Sequence, residues 1–151
     1  MARTHDCRFT RRIDAPVGVV WDVLTDHARY REWTPVPHSR LVTPGSTEPN
    51  GVDAVRFLGV GPLGAKERVL VFEPESHLAY TVDSGLPVRD YRADARLTDG
   101  GGWTQLEYTG SLRPLVPGTG PLLAFGVRQV LATLVSSLAR ESERRAAATA
   151  A

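Results

Sequence analysis

The side chains best suited to chemistry in this sequence are aromatic ones that we expect to point inward from predicted strands and one loop. A tyrosine carries a polar hydroxyl at the tip of an apolar ring, so tyrosines that line an apolar cavity can orient a ligand with a few oxygens. The aromatic set that we expect to line such a cavity is Trp33, Phe57, Tyr80, Tyr91 and Tyr108. The alternative is that these rings simply fill the core.

Two titratable residues are candidates for catalysis. Counting by twos along a strand from Val69 and Val71 places Glu67 on the same inward face. A carboxylate at the rim of a cavity can serve as a general base, whereas the alternative is an ion pair with a surface arginine. His38 follows "WTPVP" in a predicted entrance loop, where it is either a catalytic or ligand-contacting residue or an exposed loop histidine.

Two arginines have roles that the sequence leaves open. Arg11 lies between Phe9 and Ile13 on the apolar face of the first predicted strand. It either anchors an acidic group of a ligand or pairs with a buried carboxylate. Arg40 stands at the start of a later strand and is either a ligand contact or an exposed residue.

Several kinds of catalytic and metal site are excluded by their missing motifs. The sequence has no Gly-x-Ser-x-Gly elbow, no phosphate-binding loop and no dinucleotide fingerprint. Its four histidines at positions 5, 27, 38 and 77 do not have metal-ligand spacing, and the lone Cys7 excludes an internal disulfide framework. We therefore expect no metal and no cofactor.

Charge and hydropathy restrict the partners. The formal net charge is +1 in 151 residues, and the cations are interspersed with acidic residues, which argues against nucleic-acid binding. The most apolar stretch, residues 115–139, contains two prolines, an arginine and a glutamine, so we do not predict a transmembrane helix. The first residues lack an apolar run of signal-peptide type, and we expect a cytoplasmic protein.

The elements that must position these residues follow from periodicity and turn signals. A first strand leads into a short helix with an apolar stripe, then a second short helix that ends near Trp33. Strands are predicted at 54–59, 66–73, 78–84, 89–97 and 104–112, with a turn signal between each consecutive pair, and a long helix is predicted at 121–145. We expect one domain over 1–151, with a frayed tail at about 146–151.

A curved antiparallel sheet that wraps around one long helix leaves volume between the two. Small inward residues (Ala93, Ala95 and Gly110) would leave this volume unfilled, which predicts an internal cavity. The segment 15–38 would close its mouth. Aliphatic residues expected to line the cavity are Val69 and Val71 from the sheet and Leu123, Val127 and Leu131 from the helix.

Three stretches of the sequence resemble the START/Bet v 1-like (SRPBCC) superfamily, in particular its polyketide cyclase/dehydrase and lipid-transport group. They are "IDAPVGVVWDVLTDHARYREW", "RVLVFEPESHLAYTVDSGLPVRDYRADARL" and "GGWTQLEYTGSLRP" with the long helix that follows. The resemblance covers nearly the whole chain. It implies an α+β helix-grip fold, in which a curved antiparallel sheet wraps around a long C-terminal helix.

The resemblance leaves three functions open, because this fold hosts binders, carriers and enzymes. The first is binding or transfer of a hydrophobic small molecule, such as a lipid, a polyketide or another aromatic metabolite. The second is a polyketide cyclase/aromatase or dehydratase that acts on a substrate in the same cavity. The third is a protein-interaction role, and the oligomeric state is open, with a homodimer as one option.

Overall fold

The structure is a computed structural model that describes residues 3–150, and its centre is one antiparallel sheet of seven strands. The strands lie in the order β1-β7-β6-β5-β4-β3-β2. The elements along the chain are β1 (His5–Ile13), α1 (Val17–Thr25), a 3-10 turn (His27–Arg29), α2 (Tyr30–Trp33), β2 (His38–Thr43), β3 (Val55–Val60), β4 (Leu63–Glu73), β5 (His77–Ser84), β6 (Val88–Asp99), β7 (Thr104–Pro114) and α3 (Gly120–Ala150). This architecture confirms the predicted helix-grip fold.

Strands β6 and β7 have the inward and outward faces that their alternation predicts. On β6 the residues Tyr91, Ala93, Ala95 and Leu97 are buried, whereas the arginines between them are exposed. On β7 every second residue from Thr104 to Leu112 is buried in the same way. One face of the sheet therefore forms the core with the helices, and the other face meets water.

A β-bulge in β4 changes which residues of that strand face the core. Val69 pairs with Tyr80, but Val71 pairs with Ala79, so one extra residue lies between the two pairs. The core contains Val69 and Phe72 but not Val71, and the Phe72 ring meets Trp21 of α1 edge-on at 5.1 Å. The expectation that Val69 and Val71 share a face is therefore wrong, because the bulge interrupts the period of two.

Helix α3 packs on β1, β7 and α1, and its burial is uneven along its length. Between Leu131 and Ser142 its inner face is fully buried, whereas Leu123 and Val127 in the first half are only partly buried. A Cβ built on Gly110 of β7 would lie 2.7 Å from Leu131 Cδ1, so the helix and the sheet approach closely at this point. The space that Gly110 leaves is thus occupied by Leu131.

The C-terminal part of α3 continues through most of the segment expected to fray. The helix extends to Ala150, and the Thr149 hydroxyl donates to the Arg145 carbonyl at 3.0 Å. Residue 151 lies outside the described residues. Among residues 3–150, α3 is the one helix whose length and composition would allow it to cross a membrane, and a third of its most apolar window is buried in the protein.

Candidate functional site

A buried arginine that the sequence analysis did not select lies at the centre of the candidate site. Arg56 of β3 is 1% exposed and is the largest fully buried side chain among the described residues. Its Nη1 lies 3.1 Å from His27 Nδ1, and its Nη2 donates to Glu67 Oε2 at 3.0 Å. Glu67 thus faces inward as expected, as the counterion of Arg56.

Arg56 takes the inward position on β3 that was expected for Phe57. The inward residues of this strand are Arg56 and Leu58, whereas Phe57 lies outside the core and stacks under the Arg40 guanidinium at 4.4 Å from its ring centroid. Phe57 is buried nevertheless, because it fills the space above Gly64, where an added Cβ would lie 2.7 Å from Phe57 Cζ. The expectation that Phe57 points inward is therefore wrong.

The sequence did contain a signal for Arg56. The turn at residues 61–62 makes β3 and β4 a hairpin, and in that hairpin Arg56 is directly opposite Glu67. Opposite charges at facing positions form cross-strand pairs. The position opposite Glu67 across this turn therefore indicates Arg56 as its partner.

Hydrogen bonds fix the tautomer of His27. Its Nε2 lies 3.0 Å from the Asn50 carbonyl oxygen, which can only accept, so Nε2 carries the proton. Nδ1 is therefore unprotonated and accepts from Arg56. Burial and, secondly, the Arg56 charge lower the pKa of His27 to about 3, so the ring is neutral at neutral pH.

Arg56 lies between two tyrosine rings, and one of its N–H groups has no hydrogen-bond partner among the described residues. Its guanidinium carbon is 4.6 Å from the Tyr30 ring centroid and 4.4 Å from that of Tyr80. Burial by itself lowers the pKa of Arg56, but Tyr30 and Glu67 hold this pKa well above its ordinary value, so the charge persists. Of its N–H donors, Nε has no hydrogen-bond partner among the residues that the structure describes.

The tyrosine hydroxyls form a second part of the site. Tyr80 and Tyr108 are joined through their hydroxyl oxygens at 2.5 Å, and Tyr30 donates to the Leu24 carbonyl at 2.5 Å. Whichever of Tyr80 and Tyr108 donates, the hydroxyl hydrogen of the other is not used by this bond. Burial raises the pKa of Tyr30, Tyr80 and Tyr108 above the ordinary value, so all three remain neutral phenols.

Trp33 and Tyr91 complete the aromatic surroundings. Trp33 lies at the end of α2 with its ring 4.6 Å from that of Tyr30, and Tyr91 lies 6.4 Å from Tyr80 by ring centroids. In residues 3–150 the buried Nε1 of Trp33 finds no acceptor. Of the three buried side-chain polar atoms that lack a partner among the described residues, two belong to this cluster, on Arg56 and Trp33, and the third is the Ser142 hydroxyl on α3. An unsatisfied buried donor is costly unless another molecule accepts from it.

The remaining predicted residues are not among the contacts of Arg56 described above. Val69 and Leu131 are buried in the core, whereas Leu123 and Val127 of the first half of α3 are partly buried against it. His38 is exposed at the start of β2, where its Nδ1 accepts from the Gly61 backbone N–H at 3.0 Å. The structure therefore does not bring the two catalytic candidates, Glu67 and His38, together, and Arg11 is an exposed residue.

Two concave regions lie near β1 and β7. A crevice of about 140 Å³ separates these strands from the first half of α3, and its lining includes Cys7, Leu112, Phe125 and Val127. A broader groove of about 750 Å³ has a more polar lining, which includes Arg8, Arg92, Asp94 and Ser111. Of the predicted ligand-lining residues, Val127 lines the crevice. Among the described residues no three His, Cys, Asp or Glu side chains are grouped to hold a metal ion.

Solved structures of other proteins share this fold over nearly the whole chain. The Zhui aromatase/cyclase from Streptomyces sp. R1128 is 19% identical with a TM-score of 0.79, and the match covers 95% of this chain and 96% of that one. A START superfamily protein from Mycobacterium smegmatis is 15% identical with a TM-score of 0.75, covering 93% and 98%. Norcoclaurine synthase from Thalictrum flavum, in complex with dopamine and hydroxybenzaldehyde, is 12% identical with a TM-score of 0.72, covering 92% and 86%.

Sequence comparison identifies the family. No curated protein matches the sequence. A family model described as polyketide cyclase / dehydrase and lipid transport matches residues 4–148. The structural matches are too low in identity to show more than the shared fold. The chain belongs to the polyketide cyclase/dehydrase and lipid-transport family.

Proposed function

We propose that this protein binds a hydrophobic small molecule between the sheet and α3, with an oxygen atom of that molecule accepting from Arg56. The observation that carries the proposal is the unsatisfied Nε of an arginine that is 1% exposed. The ligand class is a lipid, a polyketide or an aromatic metabolite that has at least one acidic or carbonyl oxygen.

The energetics of the interior support this choice. Burial of a cation costs several kcal/mol, and well-packed apolar residues often stabilise a core as much as a buried ion pair does. Glu67 compensates the Arg56 charge but leaves donors unused. A ligand oxygen would satisfy them, and the rings of Tyr30, Tyr80 and Trp33 would contact its apolar carbon atoms.

A second candidate function is the cyclase/aromatase or dehydratase reaction. The observation in its favour is that a permanent cation lies 4.4 Å from the ring of Tyr80, whose hydroxyl is paired with that of Tyr108. Such a group can stabilise the negative charge of an enolate, and a neutral phenol can donate a proton. Glu67 is the nearest carboxylate to Arg56, and its ion pair with Arg56 opposes the role of free base.

The decisive experiment is native mass spectrometry on freshly purified protein, followed by organic extraction of whatever is bound. We expect a discrete adduct that carries a carboxyl, phenol or carbonyl group. Trp33→Phe removes one buried N–H while keeping an aromatic ring, and Arg56→Met removes the cation while keeping an unbranched side chain. Both variants should lose adduct, and circular dichroism would establish that each is folded.

The control variant is Arg12→Gln, which changes an exposed arginine that stacks on Trp103 away from the site. An adduct retained equally by Arg56→Met and Arg12→Gln would contradict the role of Arg56. Incubation of the extracted molecule with the protein then separates the two functions. Unchanged ligand supports binding or transfer, whereas loss of water or ring closure detected by mass and chromatography supports catalysis.

A further inference from the structure

The exposed large apolar side chains of this protein are concentrated at one end. Three of them, Val42, Val52 and Leu70, are scattered and only 38–39% exposed. The other eight belong to the β3–β4 tip, the β5–β6 turn, the β7–α3 link and the first half of α3. We call these eight residues the apolar rim: Val60, Leu63, Leu86, Leu115, Val116, Leu122, Phe125 and Val130.

Backbone contacts show that the segments carrying this rim adjoin one another. A Cβ built on Gly85 in the β5–β6 turn would lie 2.0 Å from the Gly64 carbonyl oxygen, so this turn rests against the start of β4. On its other side the same turn accepts from the β7–α3 link, where Leu115 N donates to the Pro87 carbonyl at 2.9 Å. The rim is therefore a ridge formed by neighbouring segments rather than a set of isolated residues.

The most exposed members project from separate segments. Leu63 at the β3–β4 tip is 77% exposed, and Leu122 and Phe125 on α3 are 76% and 62% exposed. The outer face of α3 has no acidic residue before Glu141. Exposed apolar side chains grouped on neighbouring segments are typical of a site of association with another molecule or with a membrane.

Exposed Lys and Arg side chains at the same end of the protein favour a negatively charged partner. Exposed cations near the rim are Lys66 and Arg89 on the sheet, together with Arg3 and Arg40. Of the acidic residues nearby, Asp83 and Asp90 each form an ion pair with an arginine, and Asp6 lines the crevice beside Phe125. Apolar side chains that project between unneutralised cations match the interface of a bilayer with anionic head groups.

We infer that the apolar rim docks this protein on the surface of an anionic lipid bilayer, with Leu63, Leu122 and Phe125 inserted among the acyl chains. Phe125 also lines the crevice beneath α3, so docking would bring the opening of the crevice to the lipid. In this peripheral contact α3 remains packed on the sheet, and docking does not require the proposed ligand.

The test is co-sedimentation of the purified protein with vesicles of phosphatidylglycerol and phosphatidylcholine in equal parts, and with vesicles of phosphatidylcholine alone. We expect sedimentation with the anionic vesicles, weakened by high salt and by the neutral lipid. Leu63→Gln and Leu122→Gln should each lower the partition coefficient about tenfold. Lys66→Gln and Arg89→Gln should each lower it about fivefold.

The matched controls are Val42→Gln and Leu70→Gln, which change exposed apolar residues outside the rim and should leave partitioning unchanged. Equal partitioning of rim and control variants would overturn the inference, as would failure of the unaltered protein to bind anionic vesicles. Light scattering after gel filtration supplies one further outcome. A dimer that Leu122→Gln converts to a monomer, without vesicle binding, would assign the rim to a second copy of this chain.

Discussion

Arg56 and His27 show how single residues hold a charge inside this protein. The guanidinium is balanced by one carboxylate, Glu67, by two aromatic ring faces and by the bare nitrogen of a neutral histidine. This arrangement requires His27 to remain unprotonated, because a second cation 3.1 Å from Arg56 would be strongly repelled. The protonation of one ring therefore links the site to pH.

We expect the free energy of unfolding to fall as the pH is lowered between about 6.5 and 3. The pKa of His27 is about 3 in the folded protein and near 6.5 when unfolded. In this window the unfolded chain binds a proton that the folded chain does not, so acid favours unfolding by on the order of 1 kcal/mol per pH unit. Urea unfolding from about pH 7 to about pH 5 measures the slope.

The control for the pH dependence of unfolding is His27→Gln. Glutamine has no ionisable group, so the free energy of unfolding of the variant should be nearly constant between about pH 7 and about pH 5. The ion-paired carboxylates, such as Asp94, do not contribute to the slope between about pH 7 and 5, because their unfolded forms bind protons only near the ordinary carboxyl pKa of 3.8. Equal slopes in the two proteins would mean that His27 is not the group responsible.

At the scale of elements, α3 can approach β7 closely because position 110 on β7 is a glycine. Gly110→Ala should destabilise the protein by about 1 kcal/mol, because the new methyl would overlap Leu131 Cδ1. In a Leu131→Ala background the same change should become neutral or stabilising, which a double-mutant cycle by urea unfolding would reveal. Gly126→Ala is the control, since an added Cβ meets open space there and improves helix propensity.

The strands also show what the sequence predicts well and what it does not. The prediction of which residues face the core is confirmed on β6 and β7, because polar and apolar residues alternate strictly there and only one face can be buried. On β3 the greater hydrophobicity of Phe57 suggested the wrong face, since a cation in the core is rare. The bulge beside Val69 leaves no mark in the sequence. The predicted strand bounds nevertheless agree with the structure to within three residues.

The candidate site was predicted in part, for a related reason. Trp33, Tyr80, Tyr91 and Tyr108 are expected to point inward, and the structure places all four in the core. That they line a ligand site stays a prediction. Arg56 and His27 were not found, because their importance comes from contacts between segments distant in sequence. The identity of a ligand depends on the arrangement of unsatisfied donors, and residue types alone do not contain it.

At the scale of the whole molecule, the two halves of α3 differ in burial: the first half is only partly buried, and the second half packs its inner face into the core. Residues 121–130 have no fully buried side chain, whereas residues 131–142 include Leu131, Leu138 and Ser142 in the core. We expect amide hydrogens in 121–130 to exchange with solvent faster than those in 131–142, because local opening there breaks few buried contacts. Hydrogen exchange with mass spectrometry measures this gradient, and uniform protection along α3 would contradict it.

The pairing of β1 with β7 has a consequence for how the chain folds. His5 lies opposite Leu112 and Ile13 opposite Thr104, so the two strands meet only after most of the chain has been brought together. The hairpins from β3 to β7 involve short loops and can form early, while closure with β1 carries the largest loss of chain entropy. The first strand is therefore expected to dock late, which sets the folding time of the whole sheet.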